Sequence, residues 1–225
     1  MFLMDAYQLP WYRTISRWFI VHVTRLIVHM ISQIRIEGLE NLPKNGAYLL
    51  VFNHVSIYDP PIIVSHLPRW PEMLGAVDVW DRPGQSILAR LYGGIPIHRG
   101  VVDRTAMSRM LSAVRAGLPL LVAPEGTRSH QPGMQQAKTG IVYILEQTKI
   151  PVVPIGITGT TDDYIHLVFS GKRPHVNISI GTAFTLAEIH NDELTPAEIR
   201  QQKVDGVMRK IAELVPDEYR GVYAL

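Results

Sequence analysis

The chain has 225 residues, with 22 Lys and Arg against 20 Asp and Glu and a formal net charge of +2. That length suits one α/β domain with a sizeable core, and so even a charge balance gives no footprint for nucleic acid. The chain holds no cysteine, which excludes disulfides, thiolate nucleophiles and Cys-based zinc sites.

The stretch from Trp11 to Ile34 is the most unusual in composition. Its densest part, Trp18 to Ile31, is interrupted by His22, Thr24, Arg25 and His29. It is too short and too charged for a membrane span. On a helix, Thr14, His22, Arg25, His29 and Ser32 fall on one narrow stripe, with Trp18 intruding. The remaining face carries Ile15, Phe19, Ile20, Val23, Leu26, Ile27, Met30 and Ile31. A wide apolar face with Trp11, Trp18 and arginines near its edges suits a helix lying in a membrane interface. A buried packing helix with a solvent stripe is the competing reading. Residues 1–34 thus read as an amphipathic helical membrane-contact segment, and residues 35–225 as a single α/β domain.

Ile34 to Gly38 alternates as a half-buried strand does, and Asn41 to Gly46 is a turn. Ala47 to Phe52, held between Gly46 and Asn53, is a buried strand. It runs into Asn53-His-Val-Ser-Ile-Tyr-Asp59 and then Pro60-Pro61, which opens a helix. Met73 to Val77 is a further strand, Gly84 to Leu91 a short helix, and Gly94 to His98 a short strand that delivers Arg99. Arg104 to Ala116 has helical spacing, with Gly117 as its stop. Pro119 to Ala123 is an inner strand emptying into Pro124-Glu-Gly-Thr-Arg-Ser129. A helix over Lys138 to Gln147 follows, then a strand over Val152 to Ile157 in which Pro154 argues for an edge or a bulge. Tyr164 to Val168 and His175 to Ile180 read as late strands, and Thr195 with Glu198 caps a helix running to about Leu214. Strands alternating with helices give an α/β fold with a central sheet flanked by helices.

Polar groups gather directly after three of the buried strands: His54 and Asp59, then Arg99, then Glu125 and Arg128. Such loops converge on one crevice in an α/β sheet. A His beside a carboxylate is a general-base pair, and guanidiniums grip phosphate. Together they fit deprotonation of a hydroxyl on a phosphorylated substrate. Spacing alone does not choose the pair, because His98 and Asp103 repeat it. The chain has no P-loop, dinucleotide fingerprint or Gly-x-Ser-x-Gly elbow, and no paired spacing for a metal.

Asn53 to Asp59, Gly94 to Arg99, Pro124 to Ser129 and Val153 to Ile157 resemble the four ordered blocks of the glycerolipid acyltransferase family, and most closely its bacterial 1-acylglycerol-3-phosphate acyltransferases. The resemblance implies a mixed sheet flanked by helices and a domain that moves a fatty acyl group from a thioester to lysophosphatidic acid, making phosphatidic acid in phospholipid biosynthesis. His54 and Asp59 are then the working pair, since His98 falls on a variable position. Arg99 and Arg128 hold the acceptor's phosphate with Lys138 and Thr127 nearby, Glu125 binds its glycerol part, and Gly126 lets the backbone approach. Val153 and Pro154 line an acyl passage. No cofactor or metal is implied, and acyl-CoA or acyl-carrier protein is the co-substrate. The membrane face of the first helix is Trp11, Trp18, Phe19, Ile20, Val23, Leu26, Ile27, Met30 and Ile31, and Arg13, Arg17, Arg25 and Arg35 favour anionic lipids. The expected place is the cytoplasmic face of the cell membrane, as a monotopic protein. Other expectations stay open: glycerol-3-phosphate, another lysophospholipid or a lyso-aminolipid as acceptor, a silent lipid-binding protein, or a thioesterase using the same base on water.

Overall fold

Short apolar runs bounded by Gly, Pro and Asn become strands in the computed structural model, which describes residues 7, 9–101, 103–189 and 193–224. In chain order the elements are α1 (Trp11–Ile31), β1 (Gln33–Glu37), β2 (Leu49–Phe52), α2 (Asp59–His66), β3 (Glu72–Ala76), α3 (Gln85–Tyr92), β4 (Ile95–Ile97) and α4 (Arg104–Arg115). Then follow β5 (Leu120–Val122), α5 (Gly140–Thr148), β6 (Val152–Thr158), α6 (Tyr164–Phe169), β7 (His175–Ile180), α7 (Pro196–Ala212) and α8 (Asp217–Arg220). The strands form one mixed sheet in the order β1-β7-β6-β2-β5-β3-β4. β6, β2, β5, β3 and β4 run parallel, and β7 is antiparallel to β6. The helical connections between parallel strands put all five C-terminal strand ends on one edge.

Alternation along each strand sorts the core into two layers. Leu49, Val51, Leu120, Val122 and Val152 face one cluster with α4, α5 and α7. Leu50, Phe52, Leu121, Val153 and Ile155 face the other, beneath α1 and α2. The result is the expected α/β architecture with helices on both faces.

Two local expectations change. Tyr164–Phe169 is a helix, not a strand. Tyr164, Leu167 and Val168 stand at i, i+3 and i+4, a helical face that five residues do not separate from alternation. Pro154 is not on an edge strand, because β6 lies between β2 and β7. Instead its missing N–H faces an interruption in the partner chain. Gly181 N–H donates to Pro154 O at 2.9 Å, and pairing resumes at Val152 with Phe184. Proline is tolerated where the ladder skips a residue.

In α1, Arg17, Val21 and Val28 are buried against α2 and α3, while most of the other apolar residues face outward. Trp11 is 74% exposed, Leu26 62% and Met30 60%, so the helix is not an ordinary buried packing helix. Trp18, Phe19 and Ile27 are also exposed, whereas Ile20, Val23 and Ile31 are half-buried. The neighbouring α3 adds exposed Ile87, Leu88 and Leu91. Arg17 departs from its expected role at a lipid surface, being only 3% exposed. Its guanidinium grips Glu72 at the start of β3 bidentately, at 2.6 and 2.8 Å, donates through Nε to Tyr92 O at 2.6 Å, and lies over the Tyr92 ring. Glu72 is fully buried, so removing its partner strands a charge in the core. Arg17→Ala is expected to cost about 3–5 kcal/mol, read as a lower urea midpoint.

Candidate active site

β2 ends at Phe52, and the side chain of Asn53 carries its ladder one residue further. Asn53 Nδ2 donates to Ile157 O and its Oδ1 accepts the Ile157 N–H, both at 2.8 Å. This fixes where the next residue leaves the sheet. His54 is turned toward Asp59, the first residue of α2, with its Nδ1 2.9 Å from Asp59 Oδ2. A carboxylate only accepts, so Nδ1 carries the proton and Nε2 is the free base. The His54 side chain is 14% exposed and Asp59 is fully buried.

Burying the Asp59 charge requires donors. The N–H groups of Val55 and Ser56 donate to Oδ2 at 2.7 and 2.8 Å, and the buried Thr160 hydroxyl donates to Oδ1. Thr160 follows β6, so a fourth strand end supports the pair. It escaped the sequence reading, although the strand-end rule that found the other three loops also points to it.

Glu125 follows β5 and is 1% exposed. Its Oε1 accepts the His54 N–H at 2.8 Å and its Oε2 accepts the Gln135 N–H at 2.7 Å. The side chain expected on the acceptor's glycerol therefore clasps the His54 loop to the loop after β5. Ser129 and His130 N–H groups reinforce the clasp on His54 O and Val55 O, at 2.8 and 3.0 Å. Burial raises the Glu125 carboxyl to about 7, against the pull of its two N–H donors. Gly126 beside it has φ +71, a left-handed turn that favours glycine.

Arg128 is half-buried, and Arg99, Thr127 and Lys138 are exposed. Among the described residues none of the three cations has an acidic partner. Along the edge the ends run from Thr160 through His54 and Glu125 to Arg99, which lies two strands beyond β5, about 10 Å away. Val153 and Pro154, expected along the acyl passage, face opposite sides of the sheet. Neighbouring strand residues point to opposite faces. Val153 joins the core under α1 and α2, whereas Pro154 packs toward Gly181 on the far side.

His98 and Asp103 also form a 2.9 Å pair, so the second occurrence of the spacing folds into the same contact. Its surroundings differ. The His98 side chain is 68% exposed, and Asp103 Oδ1 caps α4 by accepting the Ala106 N–H at 2.9 Å. Those hydrogen bonds hold the Asp103 carboxyl well below the usual carboxylate range. That pair is a helix cap, not a cleft base.

Parallel strand ends that bring a partly exposed His–Asp pair to one edge of a mixed sheet define an α/β protein with a candidate acid–base site. The chain belongs to the Acyltransferase family, whose model matches residues 33–158. It is 29% identical to the 1-acyl-sn-glycerol-3-phosphate acyltransferase of Cocos nucifera over 62% of this chain and 46% of that protein. To the enzyme of the same name from Borreliella burgdorferi it is 24% identical, over 76% of this chain and 70% of that protein. The crystal structure of the 1-acyl-sn-glycerophosphate (LPA) acyltransferase PlsC from Thermotoga maritima matches 90% of this chain and 80% of that one, with a TM-score of 0.65 and 26% identity. The chain spans about half the length of the plant relatives it matches.

The Glu125 clasp has a pH signature. Its folded value, about 7, lies above the ordinary 4.5, so between those values the folded state holds a proton that the unfolded chain has released. Stability should therefore fall as pH rises through this window, by about 3 kcal/mol in all, and Glu125→Gln should abolish that component in urea melts run from pH 4 to 8.

Proposed function

We propose that this protein transfers a fatty acyl group from an acyl thioester to the free hydroxyl of 1-acylglycerol-3-phosphate, giving phosphatidic acid at the cytoplasmic surface of the cell membrane. The observation that carries the reading is the His54–Asp59 pair set on the same sheet edge as Arg99, Arg128 and Lys138. The names of the relatives support it. His54 Nε2 takes the hydroxyl proton as that oxygen attacks the thioester carbonyl. The tetrahedral intermediate collapses, the C–S bond breaks, and the leaving thiolate takes the proton back from the imidazolium. Asp59 holds the ring in the required tautomer and stabilises its charged form. Arg99 and Arg128 hold the acceptor's phosphate, with Lys138 beside Gly126, and Thr127 lies on the same loop.

A lysophosphatidate stays in the bilayer through its one acyl chain, which supports a membrane-bound enzyme. No helix of the described residues is long and apolar enough to cross a membrane. The exposed side chains of α1 and α3 support a monotopic attachment. Replacing Trp18 and Leu26 together with Glu is expected to release the protein from sedimenting phosphatidylglycerol vesicles while leaving its circular dichroism unchanged, because both side chains are exposed.

Acyl transfer from a long-chain thioester to lysophosphatidate in mixed micelles tests the chemistry. His54→Ala should lose about 10²–10⁴-fold in rate, and His98→Ala should stay within about twofold of wild type. Thiol released without acceptor would identify a hydrolase instead, and transfer only to acceptors without phosphate would remove the role given to the arginines.

A further inference from the structure

An open groove of about 380 Å³ lies between the end of β4 and the first turns of α4, lined by Pro96, His98, Val101, Asp103, Arg104 and Arg109 among others. Its charge is unbalanced. Arg104 and Arg109 are both exposed, and neither has an acidic partner among the described residues. Asp103, the acid of the groove lining, is already engaged: Oδ1 by the Ala106 N–H, and Oδ2 by the His98 N–H and ring. Two guanidiniums therefore face solvent from a concave site. That is the chemistry that recognises a phosphate.

The position of the groove narrows the ligand. It sits at the C-terminal end of β4, three strand spacings from the β2 end that carries His54, or about 14 Å along the edge. An acyl donor that is a phosphopantetheine thioester carries its phosphate and its sulfur at opposite ends of a peptide-like arm, about 15 Å long when extended. The groove also belongs to the layer of α4, on the face of the sheet opposite the α1 layer. A water-soluble donor would then enter from the side away from the apolar helix, while the lipid acceptor enters from the membrane.

Resting on the acyl-thioester reading above, we propose that this groove holds the phosphate end of the donor's phosphopantetheine arm, with Arg104 and Arg109 as its ligands. The arm runs along the strand ends and lays the thioester beside His54. Coenzyme A and acyl-carrier protein both present this phosphate, so the groove serves either.

The test compares palmitoyl-4′-phosphopantetheine with palmitoyl-pantetheine, which lacks the phosphate, as donors to lysophosphatidate. Wild type is run beside the Arg104→Ala/Arg109→Ala double variant, whose changed side chains are exposed and unpaired. In wild type the phosphate should raise kcat/KM about tenfold or more, through the donor KM; in the double variant that advantage should fall below about twofold. A thioether analogue of palmitoyl-CoA, which has no acyl group to transfer, should bind the variant about tenfold more weakly in calorimetric titration. The same pair is then run with palmitoyl-CoA and with palmitoyl-carrier protein. A rise in KM with either one supports the groove and names the carrier it serves. Equal use of both short donors by wild type, or a phosphate advantage intact in the variant, overturns the groove and leaves the acyltransferase reading standing. If wild type transfers from no thioester, the function reading fails and the groove assignment falls with it.

Discussion

A carboxylate with no access to water has to be surrounded by donors, and Asp59 meets that requirement with groups from two strand ends. The backbone at Val55 and Ser56, the ring of His54 and the hydroxyl of Thr160 all converge on it. The donors at His54, Val55 and Ser56 belong to the loop after β2 and the Thr160 hydroxyl to the loop after β6, so the two loops have one mutually satisfied arrangement. Glu125 repeats the device one strand further on, joining His54 to Gln135. These two buried acids do what long side-chain packing does elsewhere: they make separate loops behave as one body. A partly satisfied set would be worse than none, because an unpaired buried charge costs several kcal/mol. Parallel strands make the convergence possible, since they put every loop at the same edge.

The two His–Asp pairs show what a contact distance does and does not decide. Both close to 2.9 Å. In one, the acid is sealed in the core and the ring is only partly exposed. In the other, the acid caps a helix and the base stands in solvent. The proposed chemistry needs the first arrangement, in which the protein rather than water would stabilise the ring once it takes a proton.

Much of this was legible in the sequence because it is local. Apolar runs bounded by Gly, Asn and Pro announced β2, β5 and β6, and polar residues just after them announced the site loops. The capping box at Thr195 and Glu198 formed as its spacing implies. What escaped depends on residues far apart in the chain. Thr160 meets Asp59 across 101 positions, Glu125 meets His54 across 71, and Arg17 meets Glu72 across 55. Nothing near Arg17 distinguishes it from Arg25, yet one is a core ion and the other is exposed. Val153 and Pro154 separate for a simpler reason: adjacent strand residues occupy opposite faces. The helical form of Tyr164–Phe169 was hidden by its length, which is shorter than two turns.

The buried Arg17–Glu72 pair would also set the mechanics of the proposed membrane attachment. A helix joined to its domain by a flexible hinge would let the domain bob and tilt against the lipid headgroups. Here the helix is bolted through a guanidinium to the first residue of β3, and peeling it away would strand the Glu72 charge in a dry interior. Helix α1 and the strand-end edge therefore travel as one piece, like a keel and its hull. On the proposed monotopic attachment, the height of His54 above the headgroups would be a fixed dimension of the molecule, set at folding and not renegotiated at each encounter with a lipid.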